Sequence, residues 1–246
     1  MISRERLRGW LALARREVGL LVALMALALA VNGFVEIADD VAEGDTHQID
    51  RAILMSLRGA DDPSVPLGPH WLTTATMDIT ALGSVTVLAL LVLFVAGLFV
   101  ALRRWREALV LVAASGGGVA LSQGLKIVFG RDRPEENLRL VEAINNSFPS
   151  GHAMLSAVVY LTLGALVARF ARRRRVKVYV MVGALVVAVA VGMSRVYLGV
   201  HWPSDVLGGW CLGAAWALAW WLAVQAWDRF RPLDVATGTI SQAELR

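Results

Sequence analysis

TALGSVTVLALLVLFVAGLFVAL, from Thr80 to Leu102, carries no charged residue. A bilayer's hydrocarbon core is about 30 Å thick and a helix rises about 1.5 Å per residue, so roughly 20 apolar residues cross it. This stretch is long enough to do so. Working outward from it, Gly19 to Ile37 is apolar with a single acid near its end, and Val206 to Trp227 is uncharged. Three further windows are interrupted: Glu107 to Phe129 by Lys126, Phe148 to Ala168 by His152, and Lys177 to Tyr197 by Arg195. The chain is 57% hydrophobic and 18% charged, and its charges collect between the apolar runs. That pattern predicts an all-α polytopic membrane protein with six transmembrane helices in one bundle. Between the first two spans, Ile49, Ile53 and Leu57 recur at helical spacing, which predicts a short interfacial helix over Gln48 to Leu57. No Pro/Ser-rich linker divides the sequence, so residues 1–246 read as one domain.

Orientation follows from the basic residues, because short cytoplasmic segments carry the positive excess. Arg4, Arg6, Arg8, Arg15 and Arg16 precede the first span, and Arg103, Arg104 and Arg106 join the second to the third. Arg172 to Arg175 with Lys177 join the fourth to the fifth, and Arg229 and Arg231 follow the sixth. These segments, and both termini, are expected in the cytoplasm. The segment after the first span carries Asp39, Asp40, Glu43, Asp45, Asp50, Asp61 and Asp62 against Arg51 and Arg58, and is expected outside. Residues 130 to 150 and 196 to 204 then lie outside as well. The basic start and Ala28-Leu29-Ala30 also fit a cleaved signal peptide, but the apolar run continues past that site toward a full membrane length. The net charge of +4 sits at span ends, where it faces lipid headgroups, so no nucleic-acid partner is expected. The single cysteine, Cys211, can form neither an intrachain disulfide nor a thiolate cluster.

An ionisable residue inside a span costs about 3 kcal/mol on insertion scales and faces a cavity or a partner, so the interrupted spans are where chemistry is sought. Three clusters stand out. The first is Lys126-Ile-Val-Phe-Gly-Arg-Asp-Arg133-Pro134. Lys126 and Arg133 would share a face two helical turns apart, with the helix ending at Arg133 because Pro134 disfavours helical geometry there. The pair could hold an anion, or could merely snorkel to headgroups. The second is Phe148-Pro149-Ser150-Gly151-His152. Ser150 is a natural N-cap, Gly151 exposes its backbone N–H, and a helix N-terminus attracts phosphate oxygens. The tripeptide alone is equally a turn, but a histidine in the first turn of a membrane helix exceeds what capping requires. The third cluster runs from Ser194-Arg195 through His201 to Asp205, with Pro203 suited to the first turn of the last helix. There a carboxylate four residues from an imidazole can fix its tautomer and leave the other nitrogen as a nucleophile, or can be a cap with a paired neighbour. All three clusters fall on one membrane face under a topology derived without them.

Together the clusters resemble the signature of the type 2 phosphatidic acid phosphatase superfamily, K-x6-R-P, P-S-G-H and S-R-x5-H-x3-D, with every position filled between Lys126 and Asp205. The resemblance implies a phosphatase in which His201 attacks phosphorus, Asp205 orients it and His152 protonates the leaving oxygen. Lys126, Arg133, Ser150, Gly151 and Arg195 would bind the phosphate. No metal and no other cofactor is implied, because the cations and a helix terminus can stabilise the transferring phosphoryl group. The expected partners are a membrane lipid substrate and the bilayer, with no obligatory protein partner evident. Similarity to compact bacterial members suggests a site on the extracytoplasmic side of a bacterial plasma membrane. It also suggests undecaprenyl pyrophosphate, phosphatidic acid or phosphatidylglycerophosphate as substrate, the first being preferred. Two other readings stay open: a membrane phosphatase for a soluble sugar or nucleotide phosphate, and a lipid-binding or transport protein without turnover. Gly116-Gly117-Gly118 lies inside an apolar helix and reads as a packing surface. The segment Gln48 to Leu57 either borders the lipid's access route or packs on the bundle.

Overall fold

The computed structural model describes residues 4–230, with side chains described for residues 17–229. Arg4, Arg6, Arg8, Arg15, Arg16 and Arg231, which contribute to the topology argument, lie outside the residues whose side chains are described. The described residues form α1 (Arg4–Glu43), α2 (His47–Met55), α3 (His70–Ala81), α4 (Val85–Ala101), α5 (Trp105–Phe129), α6 (Gly151–Phe170), α7 (Arg174–Tyr197) and α8 (Pro203–Phe230). A 3-10 turn covers Glu136–Leu138. Within α1, residues Glu17–Glu43 are long and apolar enough to cross a membrane, as are α5, α6, α7 and Pro203–Arg229 of α8. The sixth crossing is the pair α3 and α4.

That pair corrects the expectation of one straight span from Thr80. Thr80 belongs to α3, and α4 leaves it at a bend of 48°. Two residues account for the break. Ser84 is extended and its hydroxyl accepts the Val87 N–H at 3.3 Å, which caps a new helix start. Gly83 rests against Val191 of α7 and the ring of His152, where a Cβ would collide with the valine. Only a bare backbone lets the bend approach both neighbours.

α6 is the central helix, packed most extensively by α7 and α8 and flanked by α5, while α1 lies along α8. Leu88, Val92, Ala96 and Phe99 of α4 bury against Ala108 and Leu111 of α5 and Leu155, Val159 and Leu166 of α6. The opposite faces are apolar and open: Leu90, Leu93 and Phe94 of α4 and Val182, Leu185 and Val186 of α7 are all exposed. Such surfaces would be a liability in water and are the expected exterior of a bundle solvated by lipid.

The two ends of the bundle differ in charge. At one end Asp228 of α8 pairs with Arg169 at 2.6 Å and Arg106 at 3.6 Å, Arg229 pairs with Glu17, and Arg104 lies over the Phe170 ring. The basic segments between spans therefore gather where α4 meets α5 and α6 meets α7. The other end holds α2, the loop 130–150 and the turn from α7 to α8. α2 matches the expected short helix within two residues. Ile49 and Ile53 are exposed while Asp50 and Leu54 are buried, so the helix is anchored through an acid as well as an apolar side chain.

Glycines set the helix spacing, and of the three expected to pack, Gly117 and Gly118 do so while Gly116 faces open space. Gly117 lies under the Trp216 ring and Gly192 under Trp210, whose Nε1 donates to the Ala188 carbonyl at 3.0 Å. A methyl group on Gly192 would occupy the indole's position, whereas nothing lies within 4 Å of the corresponding point on Gly183. Gly192→Ala should therefore destabilise the bundle by about 1–3 kcal/mol, as overpacking does. Gly183→Ala should be neutral or slightly stabilising. Thermal unfolding in detergent checks the pair; equal midpoints for the two variants would contradict this packing.

Candidate active site

Pro203 opens α8 because its missing N–H is not needed in a first helical turn. Asp205 then occupies that turn, and its Oδ2 reaches back to accept the Trp202 N–H at 2.8 Å, much as an acid does in a capping box. The same oxygen accepts the Ser147 hydroxyl and lies 3.3 Å from His201 Nδ1. Its partner Oδ1 accepts Arg131 Nη1 at 2.6 Å. Asp205 is fully buried, a position that a carboxylate tolerates only when paired and hydrogen-bonded. With Nδ1 turned to this acid, the network assigns the ring proton to Nδ1 and leaves the lone pair on Nε2.

Nε2 faces the cations. Arg133 Nη1 is 3.1 Å from it and also donates to the Val200 carbonyl at 2.6 Å. The remaining donors of Arg133 reach the carbonyls of Asn145 at 2.8 Å and Ile144 at 3.1 Å. Lys126 Nζ donates to the Asn146 carbonyl at 2.6 Å while Asn146 Nδ2 returns a bond to the Lys126 carbonyl at 2.7 Å. Residues 144–147 thus form a strap that holds both cations beside the histidine. Arg195 Nη1 donates to Thr80 Oγ1 at 3.0 Å, and its buried Nε has no partner.

The start of α6 completes the cluster. Ser150 stands at the N-cap position, as its place before the helix predicts, but its side chain makes no capping bond. The hydroxyl is instead buried without a partner, as is that of Ser122. Gly151 packs beside Ser122 and the Lys126 side chain. His152 is half-buried on the next position, near Gly83 at the bend between α3 and α4, and its side chain makes no hydrogen bond among the described residues.

All eight residues singled out from the sequence therefore lie at one end of the bundle. His201, Asp205 and Arg133 are in direct contact, and Lys126, Arg195 and His152 are close enough for their charges to act on His201. One local expectation changes. α5 does not continue to Arg133; it stops at Phe129, and Gly130 takes the left-handed C-cap conformation at φ 59° with its N–H on the Lys126 carbonyl. Lys126 and Arg133 meet through a turn rather than along one helix face.

The structure adds residues that the motifs do not contain. Arg131, Ser147 and Asn146 join the site from the loop after α5, Asp50 and Thr46 join from α2 and the residue before it, and Ser204 joins from α8. In the sequence Asp50 counts only toward the acidity of its segment, and Arg131 is one of two arginines bracketing Asp132. Helical spacing offers a signal for Asp50: it lies one turn from Leu54, so the two share the buried stripe of α2 beside exposed Ile49 and Ile53. A cavity of about 710 Å³ lies at the other end of the bundle, lined by residues such as Val22, Met181 and Trp220, and includes none of these groups.

Burial, and then the positive fields of Arg133, Arg195 and Lys126, hold the His201 imidazole well below its ordinary value of 6.5. Burial likewise lowers Arg133, with Asp205 acting in the opposite sense. A crowded, desolvated set of cations beside a neutral imidazole is a place where an anion relieves repulsion.

The PAP2 superfamily model matches residues 107–229. Over 147 residues, 58% of this chain and 70% of the relative, the sequence is 39% identical to phosphatidylglycerophosphatase B of Bacillus subtilis. It is 38% identical over 68 residues to an undecaprenyl-diphosphatase of Sulfolobus acidocaldarius, covering 28% of this chain and 29% of that protein. The crystal structure of a transmembrane PAP2 type phosphatidylglycerolphosphate phosphatase from Bacillus subtilis superposes with a TM-score of 0.74 at 31% identity. The match covers 83% of this chain and 98% of the other.

The environment of His201 sets a direct expectation. A base held below its ordinary value stays neutral as pH falls through 6.5, and gains its proton only in more acid solution. Nitrogen-labelled histidine spectra of the protein in micelles should show the His201 ring still neutral at that pH. Titration of His201 at or above 6.5 would contradict the geometry.

Proposed function

This chain belongs to the PAP2 superfamily, and on that premise we propose that it hydrolyses a lipid phosphate or pyrophosphate through a phosphohistidine on His201. The family makes it an integral membrane phosphatase. The observation that carries the finer reading is the polarity of the His201 ring: a carboxylate at Nδ1, the Arg133 guanidinium at Nε2, and Arg195 and Lys126 close enough for their charges to act on the ring.

In the proposed first step Nε2 attacks phosphorus in line with the leaving oxygen. The N–P bond forms as the P–O bond breaks, and His152 gives its proton to the departing oxygen. His201 becomes cationic as it attacks, and Asp205 stabilises that charge. In the second step His152, now neutral, takes a proton from water, which attacks the phosphohistidine and releases inorganic phosphate. Lys126, Arg133, Arg195, the Ser150 hydroxyl and the Gly151 N–H would hold the equatorial oxygens. Phosphoryl transfer needs positioning and charge stabilisation more than covalent help, and these groups supply both without a metal.

The choice of lipid rests on the relatives. The match that covers 70% of its partner bears the name phosphatidylglycerophosphatase, which moves the preferred substrate from a polyprenyl pyrophosphate to phosphatidylglycerophosphate. The undecaprenyl-diphosphatase match covers a shorter stretch and supports the polyprenyl pyrophosphate as second choice. An extracytoplasmic site is supported by the basic residues at the opposite end of the bundle, since such clusters mark the cytoplasmic side.

Phosphate release by purified protein, with chelator present, tests the proposal. Phosphatidylglycerophosphate should be hydrolysed faster than undecaprenyl pyrophosphate, and both much faster than glycerol phosphate. His201→Ala should lose at least about 10³-fold of the rate and His152→Ala about 10²–10⁴-fold. Equal turnover of glycerol phosphate would replace the lipid by a soluble substrate, loss of activity in chelator would require a metal, and parent-like rates in both variants would remove the histidines from the chemistry.

A further inference from the structure

Beneath the His201–Asp205 pair lies a second layer of buried charge. Arg131, with its side chain 13% exposed, spreads its guanidinium between two carboxylates, Asp205 of α8 and Asp50 of α2. Nη1 donates to Asp205 Oδ1 at 2.6 Å and to Ser204 Oγ at 2.7 Å. Nη2 donates to Asp50 Oδ2 at 2.7 Å and to Thr46 Oγ1 at 2.9 Å. Asp50 in turn accepts the Ser204 N–H on Oδ1 at 2.9 Å and the Ser204 hydroxyl on Oδ2 at 2.5 Å. Neither Arg131 nor Asp50 touches the face of His201 that carries the Nε2 lone pair.

We propose that Arg131, held by Asp50 from α2, is a positioning residue that fixes the direction of Asp205 and through it the attack angle of His201. This rests on His201 as the nucleophile. A carboxylate can turn about its Cβ–Cγ bond. Asp205 cannot, because Arg131 holds Oδ1 while Trp202 N–H and Ser147 hold Oδ2 toward the ring. The planar fork of arginine makes this possible: two parallel directions of donation reach two acids on different helices, which a point-charged ammonium cannot match.

Charge arithmetic explains the second acid. A guanidinium paired with Asp205 alone would cancel the carboxylate that must stabilise the imidazolium as it forms. With Asp50 sharing the cation, the three groups carry one net negative charge before attack, and the charge arising on His201 brings the cluster to neutrality. Buried ionic clusters are often no more stabilising than apolar side chains of the same shape, so stability alone is a weak reason for this one. Orientation is the better reason. It also makes α2, outside all the motifs, part of the machinery, because its buried acid reaches the nucleophile through Arg131 and Asp205.

The test separates positioning from folding. Arg131→Gln should lower kcat at least about 100-fold with KM within about threefold, and should lower the unfolding midpoint because two buried acids lose their cation. Adding Asp50→Asn removes one of those charges, so the double variant should regain much of the midpoint while kcat stays low. Arg131→Lys keeps the charge and loses the fork; it should fold and lose about tenfold in kcat, and it is the readout if Arg131→Gln does not fold. Recovery of kcat together with the midpoint in the double variant would make the cluster merely structural. Parent-like kcat in Arg131→Lys, or a change confined to KM, would also overturn the proposal. His201→Ala runs alongside: if it is inactive while the Arg131 variants turn over like the parent, this inference fails and the nucleophile stands. If His201→Ala is active, the nucleophile assignment itself has failed.

Discussion

The buried carboxylate of Asp205 is the constraint on which the site depends. It has no contact with water, and it is tolerable there only because Trp202, Ser147, Arg131 and the His201 ring surround it. Those partners come from the turn into α8, the strap before α6 and the loop after α5. Satisfying one acid therefore draws both ends of the loop 130–150 to the turn between α7 and α8. In a medium of low dielectric such a network is strong when complete and costly when broken, so the elements it joins are fixed relative to one another.

The membrane explains why the joining happens at one end. Helices that cross a bilayer can be interrupted by charge only where a cavity or partner receives it. Lys126 and Arg195 sit in the last turns of α5 and α7, and His152 in the first turn of α6, so all three lie at the same end of the bundle. The central position of α6 then brings its N-terminus between the two cations. The bend between α3 and α4 adds a wall: Thr80 accepts a bond from Arg195, and Gly83 lets the chain come up to His152. Arg106 and Arg169, by contrast, pair with Asp228 at the far end, away from the site.

Much of this was legible because hydropathy and charge are local properties. The spans at Gly19 to Ile37, Val206 to Trp227 and the three interrupted windows can be found from composition, and Lys126, His152 and Arg195 stand out as ionisable where charge is expensive. The broken second span was not, since Gly83 and Ser84 are ordinary within an apolar helix and acquire meaning only when α7 and His152 are packed against them. Sequence places the end of α5 four residues late, at Arg133 and not Phe129, because Pro134 is a visible breaker, whereas Gly130 acts by adopting a left-handed cap. Asp50 and Arg131 were unmarked for a different reason: they lie in segments already rich in charge, and only the fold reveals that these two are buried. Ser147 and Asn146 are short polar residues in a loop, and nothing in their spacing announces a strap.

The account comes down to the Nε2 of a neutral imidazole facing a cluster of cations, with its other nitrogen turned to a fixed acid. On the proposed mechanism the phosphoryl group passes through that atom. The most direct measurement is to react the protein with a lipid phosphate carrying labelled phosphorus, quench within one turnover in base, where phosphohistidine survives, and map the label by mass spectrometry. The expected result is a single labelled peptide with the phosphoryl group on His201, absent from the His201→Ala variant. Burst turnover with no covalent label, or a label on another residue, would contradict it.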